Sequence, residues 1–286
     1  MSNPLISVIL PTHNNSSTIK EAITSIINQT YKNLEIVIVD DKSTDDTREI
    51  VKNMQEENPN KKILYYLLPF DDPARFNKRG RNINAGYSAR NYGLERVSGE
   101  WVTFQDADDV SFLNRIEWQY KFAQKYNSIH ICTNAIFLKK EWSEKKFDVE
   151  KYLADNPDHI TNSEELYKMA KKAKGIIIPF LGKLNSKIPF GLKTSRVINK
   201  LFFGNLDPYP AAANSPLFKK EIFKKVKFRQ TQYRIWPSFV GRGADRDFNF
   251  QIAETFKNSV VIKAPLYMWR QDPNKFNFKE FEKYII

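Results

Sequence analysis

The sequence of 286 residues predicts an α/β protein built on a mostly parallel sheet flanked by helices. Short, nearly continuous apolar runs alternate through the first half with segments of helical period, the rhythm of strand-helix-strand units. Several runs are apolar at every position, as strands covered on both faces must be. Polar segments end three of these runs, Pro11-Thr12, Asp40-Asp41 and Asp106-Ala107-Asp108, so three polar strand ends share one edge of the sheet.

Strands are expected at Ile6–Pro11, Leu34–Asp40, Ile63–Leu68, Trp101–Gln105 and Ile129–Leu138. Between the first two, Ile19, Ala22, Ile23, Ile26 and Ile27 recur at helical spacing as one apolar stripe, and Thr18 with Glu21 has the spacing of a capping box. A second helix follows Ser43–Asp46 with Ile50, Val51 and Met54 inward, Asp45 and Asp46 reading as helix-start residues. A third begins near Ser88 and a fourth spans 113–126. From 141 to 205 the pattern changes to Lys-rich helical segments broken by Pro179 and Pro189, with Asn162 and Glu165 capping a helix over 163–173. Ser215-Pro216 reads as a cap and first-turn proline opening a helix to about Lys225. A helix over 245–257 and a strand Val260–Lys263 close the regular part.

Hydrophobic residues make up 41% and aromatic residues 14%, which excludes a disordered chain. The lone Cys132 excludes an internal disulfide and a cysteine-built zinc site, and fits a reducing compartment. The first apolar run ends at Pro11 without the pattern of a secretion leader, and the longest later run, 175–182, is too short to span a bilayer. The expectation is a cytoplasmic protein, free or peripheral at the inner face of a membrane. Net charge is +12, and residues 165–229 carry 15 Lys and Arg against 3 Asp and Glu, which is the whole excess. Such a block is a solvated face or meets an anionic surface, lipid phosphate or nucleic acid.

The sequence FQDADDV sets Asp106, Asp108 and Asp109 within four positions as the chain leaves a buried strand. Two carboxylates ~5 Å apart repel by ~3 kcal/mol at an effective dielectric of ~20. Turn or cap formation is the bland account of such acids. A D-x-D at a strand exit also spaces two oxygen donors for a hard cation, Mn²⁺ or Mg²⁺, that binds a substrate phosphate.

SVILPTHNNSSTIKEAITSIINQTYKNLEIVIVDDKSTDDT, followed by AGYSARNYGLERVSGEWVTFQDADD, resembles the N-terminal nucleotide-binding half of family 2 glycosyltransferases of the GT-A fold. The resemblance is strong over 5–138, thins through the basic block and returns over 211–270. It implies a nucleotide-sugar-binding half over 1–140, a basic helical insert over 141–205, and an acceptor-binding, base-carrying part over 206–286. Residue by residue, it places Pro11 and Thr12 beside the nucleoside, Asp41 on the base and Asp40 in support of that loop. Gly86 and Arg90, in GYSARN, fall near the diphosphate or sugar. Asp106 and Ala107 join the donor site, Asp108 the cation and Asp106 the ribose or a metal-bound water, while Asp109 caps or orients the next helix. Asp245 matches the catalytic base, with Ala244 where the family carries glutamate, and Asp247 is the second candidate. Asn214, Trp236 and Asp247 are acceptor candidates, with Tyr209, Ser215 and Trp269 weaker ones; His13 lines the nucleotide pocket.

The implied function is inverting transfer of a sugar from a nucleotide sugar, a UDP-sugar in the first instance, to a hydroxyl of a glycan or lipid-linked acceptor in surface polysaccharide or glycoconjugate synthesis. The basic block, interleaved with Phe180, Leu181 and Phe190, suits an anionic membrane surface. Three rivals remain: a catalytically inactive nucleotide- or glycan-binding module, a nucleotidyltransferase, which leaves the late Gly-Ala-Asp segment unexplained, and a nucleic-acid binder, for which no recognised fold signature is present.

Overall fold

The computed structural model describes residues 3–71, 86–173, 209–230, 233, 243–271 and 276–286. The chain runs β1 (Ile6–Thr12), α1 (Ile19–Ile27), β2 (Leu34–Asp40), α2 (Thr47–Glu57), β3 (Lys62–Leu67), α3 (Tyr87–Leu94), β4 (Trp101–Phe104), β5 (Val110–Ser111), α4 (Arg115–Lys125) and β6 (His130–Phe137). It continues through α5 (Val149–Asp155), β7 (Ile160–Thr161), α6 (Ser163–Lys172), β8 (Leu217–Lys219), α7 (Ala244–Phe256), β9 (Ser259–Trp269) and α8 (Lys279–Glu282).

One sheet carries the strands in the order β3-β2-β1-β4-β8-β6-β9-β5, with β7 on β9. The left part, β3-β2-β1-β4, is parallel throughout. On β1, Ile6, Val8 and Leu10 join the core beneath α1 and α2, while Ile9 joins the opposite core with Val37, Val39 and Phe104. Both faces are therefore dry, which is why these strands lack polar alternation. On α1, Ile19, Ala22, Ile23 and Ile26 are completely buried, each large side chain contributing ~2 kcal/mol. Gly93 lets α3 lie against β1, since a Cβ there would come 2.7 Å from Ile9 Cγ2.

Several elements depart from expectation. The segment expected as a helix after Pro216 is β8, antiparallel to both β4 and β6, followed by a short 3-10 turn at Lys220–Lys224. Leu217 and Phe218 are wholly buried between two strands, and pairing on both sides satisfies a backbone that local capping signals assigned to a helix. The last strand runs to Trp269, beyond the expected Lys263, because β6, β5 and β7 all pair with it. No Thr18–Glu21 capping box forms: the Thr18 hydroxyl turns to the Asn15 carbonyl and Glu21 is drawn away by Arg270. The Asn162–Glu165 box does form, each side chain accepting from the other's backbone. Asp45 accepts from the Ser16 and Thr47 amides, bracing the entry to α2. Most of the basic block, 174–208, lies outside the described residues.

Candidate active site

The parallel strands end together. The Asp41 amide donates to the Thr12 carbonyl at 2.8 Å and Gln105 to Ile9 at 3.0 Å, so β1, β2 and β4 deliver their exits to one ledge. Beyond it lies a cavity of about 300 Å³ walled by Pro11, Thr12, His13, Asn15, Asp41, Gly86, Ala89, Arg90, Asp106, Ala107, Asp108 and Asp245. The expected donor residues all line it except Asp40. That carboxylate is buried in the adjoining loop, accepting from the Ser43 amide and the Tyr65 hydroxyl, both at 2.7 Å.

Arg90 projects from α3, which begins at Gly86 in the left-handed region, φ 70°. A side chain at that position is strained, and its Cβ would stand 3.2 Å from Arg90 Nη1. Arg90 is 3% exposed, and its guanidinium lies over the rings of Phe104 and Phe228, donates to Asp106 Oδ1 at 2.5 Å and approaches Asp245 Oδ1 to 3.6 Å. Burial opposes its charge, but Asp245 and Asp106 outweigh burial and hold its pKa above the ordinary value.

Oxygens of Asp106, Asp108 and Asp109 lie within 4.8 Å of one another. Burial first, then Asp106, raises the Asp108 carboxyl. Burial, then Asp106 and Asp108, pushes Asp109 up to about 8. This crowded set of hard oxygens fits a divalent cation. Asp109 does not cap α4, whose N-cap is Asn114; it accepts instead from the Arg270 amide at 2.8 Å and Asn214 Nδ2 at 3.4 Å. The same Nδ2 reaches Asp106 Oδ2 at 2.8 Å, and Trp269 Nε1 fixes Asn214 from behind at 3.3 Å.

A second cavity, about 700 Å³, opens on the other side of the acids and is walled by Asp109, Ala213, Asn214, Gly243, Trp269, Arg270 and Gln271 together with Asp106, Asp108 and Asp245. The last three thus belong to both cavities. Asp245 sits in the first turn of α7, where the helix N-terminus favours an ionised carboxylate. Asp247, two residues on, is turned elsewhere: it is 1% exposed and held by Arg229 through Nε at 3.0 Å and Nη2 at 2.5 Å, with Gln251 adding a third bond. That pairing occupies both its oxygens, against the expectation of an acceptor or base role. Tyr209 packs on Phe250 and Ser215 is buried; neither is among the residues walling these two cavities. Trp236 lies outside the described residues. A further cavity of about 430 Å³, lined by Glu100, Lys219, Lys220 and Phe223, sits at the opposite end of β4, where Lys219 pairs with Trp101, and gathers no such cluster.

Tyr267 and Arg270 escaped the sequence reading. The Tyr267 hydroxyl accepts from the Asp106 amide at 3.0 Å, and Arg270 Nε donates to the Asp108 carbonyl at 2.8 Å while its Nη2 pairs with Glu21. Tyr267 stands on β9 and Arg270 just past its end, some 160 positions from the acids they hold, so no local spacing announces them.

Residues 7–183 match the model of the family described as glycosyl transferase family 2. The chain belongs to that family. Among family 2 relatives, a GalNAc(5)-diNAcBac-PP-undecaprenol beta-1,3-glucosyltransferase of Campylobacter jejuni is 32% identical over 204 residues, 71% of this chain and 57% of the relative. Glycosyltransferase GlyA of Streptococcus pneumoniae is 33% identical over 182 residues, 63% of this chain and 24% of that one. The chain thus spans less than two thirds of either relative. In structure it is similar to S. aureus TarS residues 1–349, at TM-score 0.52 and 20% identity over 94% of this chain and 60% of TarS. It is also similar to the mannosyltransferase PcManGT of Pyrobaculum calidifontis, at TM-score 0.51 and 19% identity over 93% and 56% of the two chains. The fold is GT-A.

Proposed function

We propose that this family 2 chain transfers a sugar from a nucleotide sugar to an acceptor hydroxyl with inversion. The observation that carries the reading is the meeting of two cavities at Asp106, Asp108 and Asp245, with Arg90 reaching both Asp106 and Asp245. The smaller cavity takes the nucleoside diphosphate, the Asp41 carboxylate accepting from the nucleobase. The larger takes the acceptor, and the sugar sits between them at the shared carboxylates.

In this reading Asp245 accepts the acceptor hydroxyl's proton as its oxygen attacks the anomeric carbon, while the bond to the diphosphate breaks on the far side. Arg90 places permanent positive charge beside the departing diphosphate without reorganising, because it is already buried and held. Asp106, Asp108 and Asp109 would hold Mn²⁺ or Mg²⁺, which supplies further positive charge to the same leaving group. Asn214 and Arg270 keep the crowded acids in place. A UDP-sugar donor is supported by the neighbouring structure of TarS solved with UDP-GlcNAc, TM-score 0.51, and the cation by PcManGT solved with GDP-Man and Mn²⁺. A lipid-linked glycan acceptor is supported by the name of the Campylobacter relative.

Ala244, 1% exposed and packed in the α3-side core, leaves no carboxylate beside Asp245. The inactive-module reading draws on that departure. Calorimetry of UDP- and GDP-sugars with and without Mn²⁺, followed by turnover of any that bind, separates the readings. Cation-dependent binding with turnover supports transfer; binding without hydrolysis or transfer supports the module; no binding of any donor removes transfer and a nucleotide-binding module together.

A further inference from the structure

Behind the cavity walls lies a buried polar chain that the proposed reaction does not touch. His130 opens β6 and Ser259 opens β9, and the two are register partners in the sheet. Asn249 comes from the second turn of α7, and all three are 0–1% exposed. The Asn249 Nδ2 donates to two carbonyls, Ala213 at 2.7 Å and Asp245 at 2.9 Å. Carbonyls only accept, so this orientation of the amide is forced. Its Oδ1 then faces His130 Nε2 at 2.8 Å, which must carry the proton, leaving Nδ1 to accept from the Ser259 hydroxyl at 2.9 Å. Burial holds the ring neutral, pushing its pKa down to about 4.

Each of the two carbonyls belongs to a piece of the site. Asp245 is one of the three residues shared by the two cavities, and Ala213 precedes Asn214, whose amide grips Asp106 and Asp109. These pieces come from separate stretches of chain, and one side chain ties them. We propose that Asn249, oriented by His130, is a positioning residue that fixes the Asp245 turn against the Ala213-Asn214 segment and so sets the spacing between base and acid cluster. The inference deepens the transfer reading, and its catalytic consequence rests on Asp245 acting as base.

Hydrogen exchange of the full chain tests the tie without requiring the substrates. Asn249→Asp keeps the shape but turns an acceptor toward two carbonyls, and His130→Gln keeps a donor of different reach. With Asn249→Asp, amides in 209–215 and 243–248 exchange tenfold or more faster, together, while those of 6–12 and 34–40 are unchanged and UDP binding with Mn²⁺ stays within threefold. His130→Gln shows the same paired pattern at smaller amplitude, and decides the matter if Asn249→Asp does not fold. For a donor found to turn over, kcat per folded molecule falls tenfold with donor KM unchanged, the folded fraction being counted by UDP-binding stoichiometry so that general loss of stability is separated from it. Unchanged exchange, or acceleration in only one of the two segments, overturns the proposal. Full transfer by Asp245→Asn would discard the base assignment and leave the exchange result standing.

Discussion

Arg90 donates to Asp106 across 2.5 Å, one residue from the first turn of α3 and the other just past the end of β4. The pair joins the two halves of the donor cavity, Arg90 buried and Asp106 partly open to the cavities. Removing one member of such a buried pair costs ~3–5 kcal/mol, because the other charge is left uncompensated. Arg90→Met is therefore expected to lose stability on that scale in denaturant unfolding. Arg90→Lys should fold, since it keeps the charge, yet lose transfer by ~100-fold through loss of the planar fork. Near-normal turnover by Arg90→Lys would remove the guanidinium from the leaving-group role.

Asp245 faces both cavities from a helix start that does not depend on its carboxylate for capping. Asp245→Asn should lower kcat by ~10²–10⁴, the usual contribution of a general base, and should also lower the melting temperature, because buried Arg90 loses one of the two carboxylates that offset its burial. Single-turnover transfer rates measured beside UDP affinity check this. A fall in UDP binding equal to the fall in rate would move Asp245 from base to donor contact.

Asp108 is the acid of the cluster whose side chain is most open to solvent. Mn²⁺ at ~100 times its dissociation constant should stabilise the wild type by ~2.7 kcal/mol. In Asp108→Ala that gain should largely vanish in thermal melts, while the metal-free protein melts no lower than the wild type because one crowded carboxylate is gone. An undiminished Mn²⁺ shift in the variant would exclude Asp108 as a ligand.

His130 gives stability a distinct pH signature. Its ring, ordinarily titrating at 6.5, is pushed down to about 4 by burial. Between those values the unfolded chain binds the proton and the folded chain does not, so stability falls as pH drops through that window, by ~3 kcal/mol for this group alone. Subtracting the profile of His130→Gln isolates the effect, since other titrations cancel. Parallel profiles between pH 4 and 6.5 would contradict a buried neutral ring.

The basic stretch 165–229 motivates peripheral contact with anionic membrane, which supports a lipid-linked acceptor. No helix among the described residues is long and apolar enough to cross a bilayer. Vesicles of anionic lipid should co-sediment the protein at low salt and release it at high salt. Lys219, Lys220 and Lys224 belong to that stretch and line one cavity, so reversing their charge together should weaken this binding. Equal sedimentation with neutral vesicles would exclude an electrostatic surface.

By itself the sequence determined the parallel half of the sheet, the apolar stripe of α1, and the convergence of Thr12, Asp41 and the Asp106–Asp109 run on one edge. Those features follow from short-range periodicity and from residues a few positions apart, which a linear reading can see. Tertiary structure decided the rest. Ser215-Pro216 introduces a strand because Leu217 and Phe218 are buried between β4 and β6, a gain that outweighs a local helix-start signal. Asp247 is spent on Arg229 although its neighbour Asp245 faces the cavities, since a helix turns successive side chains by about 100°. Asn214, Tyr267, Arg270 and the His130-Asn249 tie reach the site over a hundred residues or more of chain, and only the pairing of β6, β8 and β9 brings them within hydrogen-bonding range.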